Sequence, residues 1–307
     1  MVYDCFTFYN ELDLLEIRLN VLSEVVDKFV LVEADRTQTN KEKPFYFEGN
    51  KERYKLFLDK IIHIKVTEYP EIKDEWTLEN YQRNQISLGL ANCIPEDIVL
   101  VSDIDEIPNP EIIIHYREKG KDICKLKQVF FYYYLNYRRC IHKYWYLAKI
   151  ARYKEIASNN YTPQKIRMEK NTKTIKNAGW HFSYLGGKEA IKNKLESIVE
   201  GVYNKVNYNI DAIENKIRMG LDLFGRKDRR LIPVKITKGK YPRYIVDNQE
   251  KYRHLIYQEI NQYIVVKNTV YCWGILLLGL PKNIVIRIAK IILPKSIIIK
   301  LKSIKNG

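Results

Sequence analysis

Ile98-Val99-Leu100-Val101-Ser102-Asp103-Ile104-Asp105-Glu106-Ile107-Pro108 is an apolar run that ends in acids. A run this rich in β-branched residues, bounded by Pro95 and Pro108, reads as a buried strand of a parallel sheet, where both faces are covered and apolar residues need not alternate. In open α/β sheets ligands bind beyond the carboxyl ends of the strands, so these acids stand where chemistry is expected. If the strand extends through them, its period of two puts Asp103 and Asp105 on one side. Two hard oxygen ligands there suit Mg²⁺ or Mn²⁺, with the other positions left to water and to the phosphate oxygens of a nucleotide.

Upstream, Val2-Tyr3-Asp4-Cys5-Phe6-Thr7-Phe8 reads as a first strand, and Asn10-Glu11-Leu12-Asp13 as a helix N-terminus with acids in its first turn. Leu14, Leu15, Ile17, Arg18, Leu19, Leu22 and Val25-Val26 recur at three-to-four spacing, which predicts a helix running to about Val25 with one face on a sheet. Residues 29–34 form a second strand, completing a βαβ unit whose crossover is right-handed, so Glu33, Asp35, Arg36 and Thr37 should share the crevice with Asp103. A third strand is expected at 61–66 after a helical stretch at 50–57. A helix at 79–90 carries Arg83, Asn84 and Gln85. Neither G-x-G-x-x-G nor a Walker motif is present, so phosphates must be met by metal and cationic side chains. Downstream, Phe130-Phe131-Tyr132-Tyr133-Tyr134-Leu135-Asn136-Tyr137 and Trp145-Tyr146 offer aromatic faces on which sugars could stack, although such runs are more often buried strands. His181, in Gly179-Trp180-His181-Phe182-Ser183, is a candidate third metal ligand.

The 307 residues can bury a large core, and 46% hydrophobic with 29% charged residues describes a globular chain without linker or repeat. We expect one α/β domain over 1–260 and an appendage over 261–307. Lys+Arg of 52 against Asp+Glu of 37 gives a net charge of +15, which favours polyanionic partners. The five cysteines (Cys5, Cys93, Cys124, Cys140, Cys272) are widely spaced, without a C-x-x-C pair, and read as reduced thiols. The N-terminus lacks the basic and long apolar regions of a signal peptide, which predicts a cytoplasmic protein.

Taken together, Asp4-Cys5-Phe6-Thr7-Phe8-Tyr9-Asn10-Glu11-Leu12-Asp13-Leu14-Leu15-Glu16-Ile17-Arg18-Leu19, then Val101-Ser102-Asp103-Ile104-Asp105-Glu106-Ile107-Pro108, then Ala178-Gly179-Trp180-His181-Phe182-Ser183-Tyr184, resemble glycosyltransferase family 17. The likeness extends to about residue 260 through Lys194-Leu195, Gly220-Leu221-Asp222-Leu223-Phe224 and Tyr241-Pro242-Arg243-Tyr244. It implies a GT-A fold, a UDP-sugar donor with GlcNAc as the expected sugar, a divalent cation, and inversion at the anomeric carbon. After Lys194-Leu195 the family carries a His and then a Glu before a Tyr-Asn, where this chain has Glu200, Val202 and Tyr203-Asn204. Animal members bear an N-terminal membrane anchor that this sequence does not show, so a surface glycan or lipid-linked glycan is expected as acceptor rather than an N-glycan.

In such a transfer a carboxylate takes the proton of the acceptor hydroxyl, and metal and cations neutralise the departing UDP. Asp105 is then the main metal ligand, Asp103 faces the ribose or shares the ion, and His181 closes the shell. Arg83 pairs with phosphate, since a guanidinium grips it in bidentate fashion. Glu11 and Glu33 accept hydrogen bonds from uracil or ribose, and Glu106, Glu200 and Asp222 form the shortlist for the base. From Val270 the chain is apolar and purely basic, with Lys282, Arg287, Lys290 and Lys295 among Ile and Leu. That pattern predicts a helix in the headgroup plane of an anionic membrane, placing the protein peripherally on the cytoplasmic face. Two other readings are open: a haloacid-dehalogenase-type phosphatase, which also ends a strand in Asp-x-Asp, and a non-enzymatic polyanion binder. Nucleic acid is not an expected partner, because the basic residues are spread along the chain.

Overall fold

The computed structural model describes residues 1–74, 76–197 and 209–278. In chain order the strands are β1 (Val2–Phe8), β2 (Lys28–Ala34), β3 (Ile61–Val66), β4 (Ile98–Asp103), β5 (Glu106–Pro108), β6 (Cys124–Leu126), β7 (Gln128–Tyr132), β8 (Tyr137–Arg139), β9 (Tyr144–Trp145), β10 (Lys149–Arg152), β11 (Lys173–Ile175), β12 (Gly179–Ser183) and β13 (Leu231–Pro233). Seven of them build one sheet in the order β11-β6-β10-β4-β1-β2-β3, in which β4, β1, β2 and β3 are parallel and β10 runs antiparallel to both its neighbours. The fold is the expected α/β, GT-A-like one: a mostly parallel sheet flanked by helices.

Alternation along the strands explains why both faces are covered. Val2, Phe6, Phe29, Leu31, Ile98 and Leu100 pack on one face against Leu14, Leu15, Ile17 and Leu22 of the helix Leu12–Leu22. Tyr3, Cys5, Val30, Val32, Val99 and Val101 pack on the other against Ile86, Leu90, Ile156 and Ile166. Each large apolar side chain so withdrawn from water contributes about 1.5–3 kcal/mol.

Three elements differ from the sequence reading. The first helix stops at Leu22 rather than Val25. The expected 79–90 helix is two short ones, Thr77–Asn84 and Ile86–Gly89, broken at Gln85, and the 50–57 stretch is a 3₁₀ segment, Lys51–Lys60. The sequence also gave no sign of a second sheet, ordered β13-β8-β7-β12-β5, with β9 on β7. Among the described strands the chain crosses between the sheets five times, most tightly at the turn Ile104–Asp105 between β4 and β5 and at Lys127 between β6 and β7.

Because β2 and β3 lie on one side of β1 and β4 on the other, the strand order reverses between β1 and β4. Their carboxyl ends, where Thr7 is opposite Asp103, flank the crevice that such a switch point opens.

Candidate active site

A cleft of about 620 Å³ lies over that switch point. Its floor is the β1 end (Thr7, Phe8, Tyr9) and the Asp103-Ile104-Asp105 turn; one wall carries Arg36 and Lys43 from the segment after β2, and another Glu79, Asn80 and Arg83. The far side is formed by Trp145, Arg167, His181, Tyr184 and Lys194.

The strand ends at Asp103, so the two aspartates do not share a strand face. Asp105 sits in the turn, where its carbonyl accepts from the Phe182 N–H at 2.8 Å. The turn is held from beneath by Arg18, a fully buried residue on the first helix. Its guanidinium forks onto Asp4 (2.7 and 2.7 Å) and donates to the carbonyls of Asp103, Ile104 and Glu106 (2.8, 3.1 and 3.1 Å). A lone arginine on an otherwise apolar helix face was the only signal of this role, and the sequence reading counted it as packing.

Asp103 is met by two arginines: Arg83 at 3.0 Å and Arg167 on its other oxygen. Arg83 comes from the helix Thr77–Asn84. Arg167 comes from Pro163–Met168, a helix started by Pro163 and by Thr162, whose hydroxyl accepts the Lys165 N–H. Burial raises the Asp103 carboxyl, and the charges of Arg167 and Arg83 outweigh it, so its pKa falls below the usual carboxylate range. Asp105 lies 3.4 Å from His181 Nε2 and 3.5 Å from Lys194 Nζ. Burial again works against its ionisation, and His181 with Lys194 overrides it, holding the carboxyl well below the usual range. Lys194, on the helix Gly187–Ser197, also reaches Glu11 at 3.2 Å. Burial pushes this ammonium down, but Asp105 and Glu11 raise it on balance. Glu11 is further fixed by the N–H groups of Tyr9 and Asn10.

Of the residues named from the sequence, Glu11, Arg83, Asp103, Asp105 and His181 line the cleft. Three others do not. Glu33 is fully buried outside it, accepting from the Phe47 N–H at 3.1 Å and bonded to His63 at 3.1 Å, so it braces β2 instead of facing a nucleotide. Glu106 is fully buried, forked by Arg167 at 2.7 and 2.8 Å and bonded by the Trp145 indole; a carboxylate so occupied has no access to an acceptor hydroxyl. Asp222 is buried and forked by Arg226 at 2.8 Å on each oxygen. Glu200 lies outside the described residues. Most of the aromatic run at 130–137 is core rather than platform, with Phe130, Phe131, Tyr132, Tyr133 and Tyr137 all buried. Phe8, Tyr9, Trp76, Trp145 and Tyr184 are aromatics that line the cleft. Arg167 and Lys194 escaped the site assignment because single cations in polar helices carry no spacing signal.

No group of three His, Cys, Asp or Glu side chains forms a metal cage among the described residues. A carboxylate beside an imidazole, as Asp105 and His181 stand, would suit a divalent transition-metal cation such as Mn²⁺, its other positions filled by phosphate and water. His181 packs edge-on against Phe130 (4.7 Å), and its buried Nδ1 has no hydrogen-bond partner among the described residues.

A family model, glycosyltransferase family 17, matches residues 1–261. Three curated proteins, each named beta-1,4-mannosyl-glycoprotein 4-beta-N-acetylglucosaminyltransferase, are similar over part of the chain. The Rattus norvegicus protein is 27% identical over 115 residues, 35% of this chain and 21% of its own length. The Homo sapiens protein is 28% identical over 107 residues, 32% of this chain and 20% of its own. The Mus musculus protein is 26% identical over 115 residues, 35% of this chain and 21% of its own. The match thus spans about a fifth of each relative's length.

Proposed function

This chain belongs to glycosyltransferase family 17, and from that premise we propose that it moves N-acetylglucosamine from a UDP-sugar to a glycan acceptor, with inversion at the anomeric carbon. The observation that carries this reading is the composition of the cleft: Arg36, Lys43, Arg83, Arg167 and Lys194 surround Asp103 and Asp105 at the switch point. A diphosphate is the ligand that such a surplus of cations over a nucleotide-type crevice fits.

Asp103, with Arg83 and Arg167 on its oxygens, presents a rigid arginine pair toward the diphosphate and keeps one face for the ribose. Glu11 and Tyr9, at the end of β1, are placed for the uracil or ribose. Asp105 and His181 would hold Mn²⁺ or Mg²⁺, which supplies charge neutralisation to the departing UDP. Lys194 adds a fixed positive charge beside that carboxylate. The acceptor hydroxyl attacks the anomeric carbon in line, the bond to UDP breaks, and the hydroxyl proton passes to a carboxylate. With Glu106 and Asp222 committed to arginines, Glu200 is our candidate for that base.

The acceptor we favour is a surface or lipid-linked glycan, with the protein peripheral on a membrane. No helix among the described residues is long and apolar enough to cross a membrane. The helix Gln262–Leu278, however, exposes Tyr263 (69%), Val266 (59%), Val270 (64%) and Trp273 (61%) along one stripe. Residues 262–307 hold eight Lys or Arg and no acid. An apolar stripe followed by a purely basic segment suits the headgroup region of an anionic leaflet.

The test is titration of the purified protein with UDP and UDP-GlcNAc, with and without Mn²⁺, followed by measurement of UDP release. Micromolar UDP binding and slow metal-stimulated hydrolysis of UDP-GlcNAc are expected. Equal indifference to UDP, GDP and CDP donors would overturn the reading.

A further inference from the structure

Lys149, the first residue of β10, is 2% exposed, and its ammonium is met by carbonyls rather than by a carboxylate. It donates to the carbonyls of Arg167 (2.7 Å), Leu147 (3.1 Å) and Tyr146 (3.5 Å). An ammonium has three N–H donors, so a charge that would be costly to bury unpaired is matched donor for acceptor. The Arg167 carbonyl stands at the end of the helix Pro163–Met168, where the last carbonyls have no internal donor and the dipole is negative. Leu147 and Tyr146 follow β9. Both segments face the cleft: Arg167 and Met168 line it from the helix, Trp145 and Leu147 from the chain after β9. Glu106 joins the same two segments at a second point, forked by Arg167 and bonded by the Trp145 indole.

We infer that Lys149 is a positioning residue for the donor: its ammonium clamps the end of the Arg167 helix to the Tyr146-Leu147 segment and so fixes Arg167 and Trp145 across the cleft. That the diphosphate is what Arg167 meets rests on the transferase reading; the clamp itself stands on the three hydrogen bonds. Four charged groups act on this ammonium. Arg167 and Lys125, the latter opposite Lys149 on β6, repel it, while Glu106 on β5 and Glu169 at the helix end attract it. Burial, then Arg167, push Lys149 down to about 8. Above that pH the neutral amine has two N–H donors for three carbonyls and turns its lone pair on the third. The Arg167 guanidinium stays charged throughout, so the grip on the diphosphate loosens through its position and not through its charge.

Calorimetric titration of the full chain with UDP-GlcNAc and Mg²⁺, from pH 7 to pH 9, tests this. Wild-type affinity should fall about fivefold across that range as the ammonium loses its proton. Lys149→Arg keeps a charge at every pH and should hold its affinity within twofold, which also cancels titration of the donor itself. Lys149→Met should bind about tenfold or more weakly at pH 7, as loss of charge-assisted hydrogen bonds does, and should lose the pH dependence. Parallel profiles for wild type and Lys149→Arg would overturn the inference, as would Lys149→Met affinity within twofold of wild type. If Lys149→Met does not fold, the other two profiles decide. Should wild type bind no UDP-GlcNAc at all, the donor reading falls, and amide hydrogen exchange over residues 146–148 and 164–169 tests the clamp alone. Faster exchange of both segments in wild type at pH 9 than in Lys149→Arg, after correction for intrinsic rates, supports it, and equal exchange refutes it.

Discussion

Two adjacent carboxylates, Asp105 and Glu106, have opposite surroundings, and their substitutions should separate accordingly. Asp105→Asn removes a carboxylate that faces the cleft, and should lower UDP release about 10²-fold with the denaturation midpoint nearly unchanged. Glu106→Gln leaves the buried Arg167 with a neutral partner, and should cost about 3–5 kcal/mol in urea unfolding, as breaking a buried ion pair does. A stable but inactive Glu106→Gln protein would make Glu106 a reacting group and refute its role as a brace. Asp103 and Asp105 were legible because acids after an apolar run have few structural uses. Glu106 was misread because nothing local in the sequence announces a partner sixty-one residues away, and Arg18 and Arg167 were missed for the same reason.

Among elements, the β12 strand depends on one glycine. Gly179 has φ of +131°, and a Cβ there would meet the Ile107 carbonyl oxygen at 2.2 Å across the β5–β12 pair. Gly179→Ala should therefore destabilise by at least about 2 kcal/mol and displace His181 with it, readable as a lower urea midpoint and weaker metal stimulation. The first helix is tied to its neighbours by Asp13 and Glu16, which meet Arg53, Lys251 and His254. Burial raises both carboxyls, but Arg53 and His254 at Asp13, and Lys251 and Arg53 at Glu16, lower them below 3.8 and 4.5 on balance. A depressed folded pKa means stability that is present above the unfolded value and lost as pH falls through the folded one. Stability of the Asp13→Asn/Glu16→Gln double variant should thus fall less steeply than wild type below about pH 4.5, a modest effect at half-exposed sites. Identical acid limbs would remove these pairs from the account. β1 to β4 were readable from apolar runs longer than any loop tolerates. The second sheet was not, since β5, β6 and β8 are three residues each and acquire their identity only from pairing.

For the whole molecule, the transferase domain and the C-terminal segment proposed to meet a membrane should come apart. Removing residues 262–307 should release the protein from vesicles rich in phosphatidylglycerol, and in the intact chain rising salt should do the same gradually, each lysine or arginine near the surface contributing about 1 kcal/mol at low salt. The cost to the fold is not zero. Asn268 donates to the carbonyls of Met219 and Leu231, and Ile264 and Cys272 are buried, so the truncated protein should melt a few degrees lower while still binding UDP. Salt-independent sedimentation of the intact chain would sink the electrostatic part of this assignment. The net charge of +15 favours anionic partners but cannot rank a nucleotide, a headgroup and a phosphorylated glycan, because long-range attraction depends on charge and hardly on shape.

The Ile104–Asp105 turn joins the two sheets in two residues, with Arg18 clamped beneath it. A hinge this short leaves no slack, so the sheets cannot breathe independently: any opening that frees β5 drags the end of β4 with it. Amide hydrogen exchange should report this as a single cooperative unit, with β1 and β4 of one sheet and β7 and β12 of the other exchanging at a common opening free energy. Ligand seated on the turn should slow all four strands by the same factor, and unequal slowing would show that the sheets open separately.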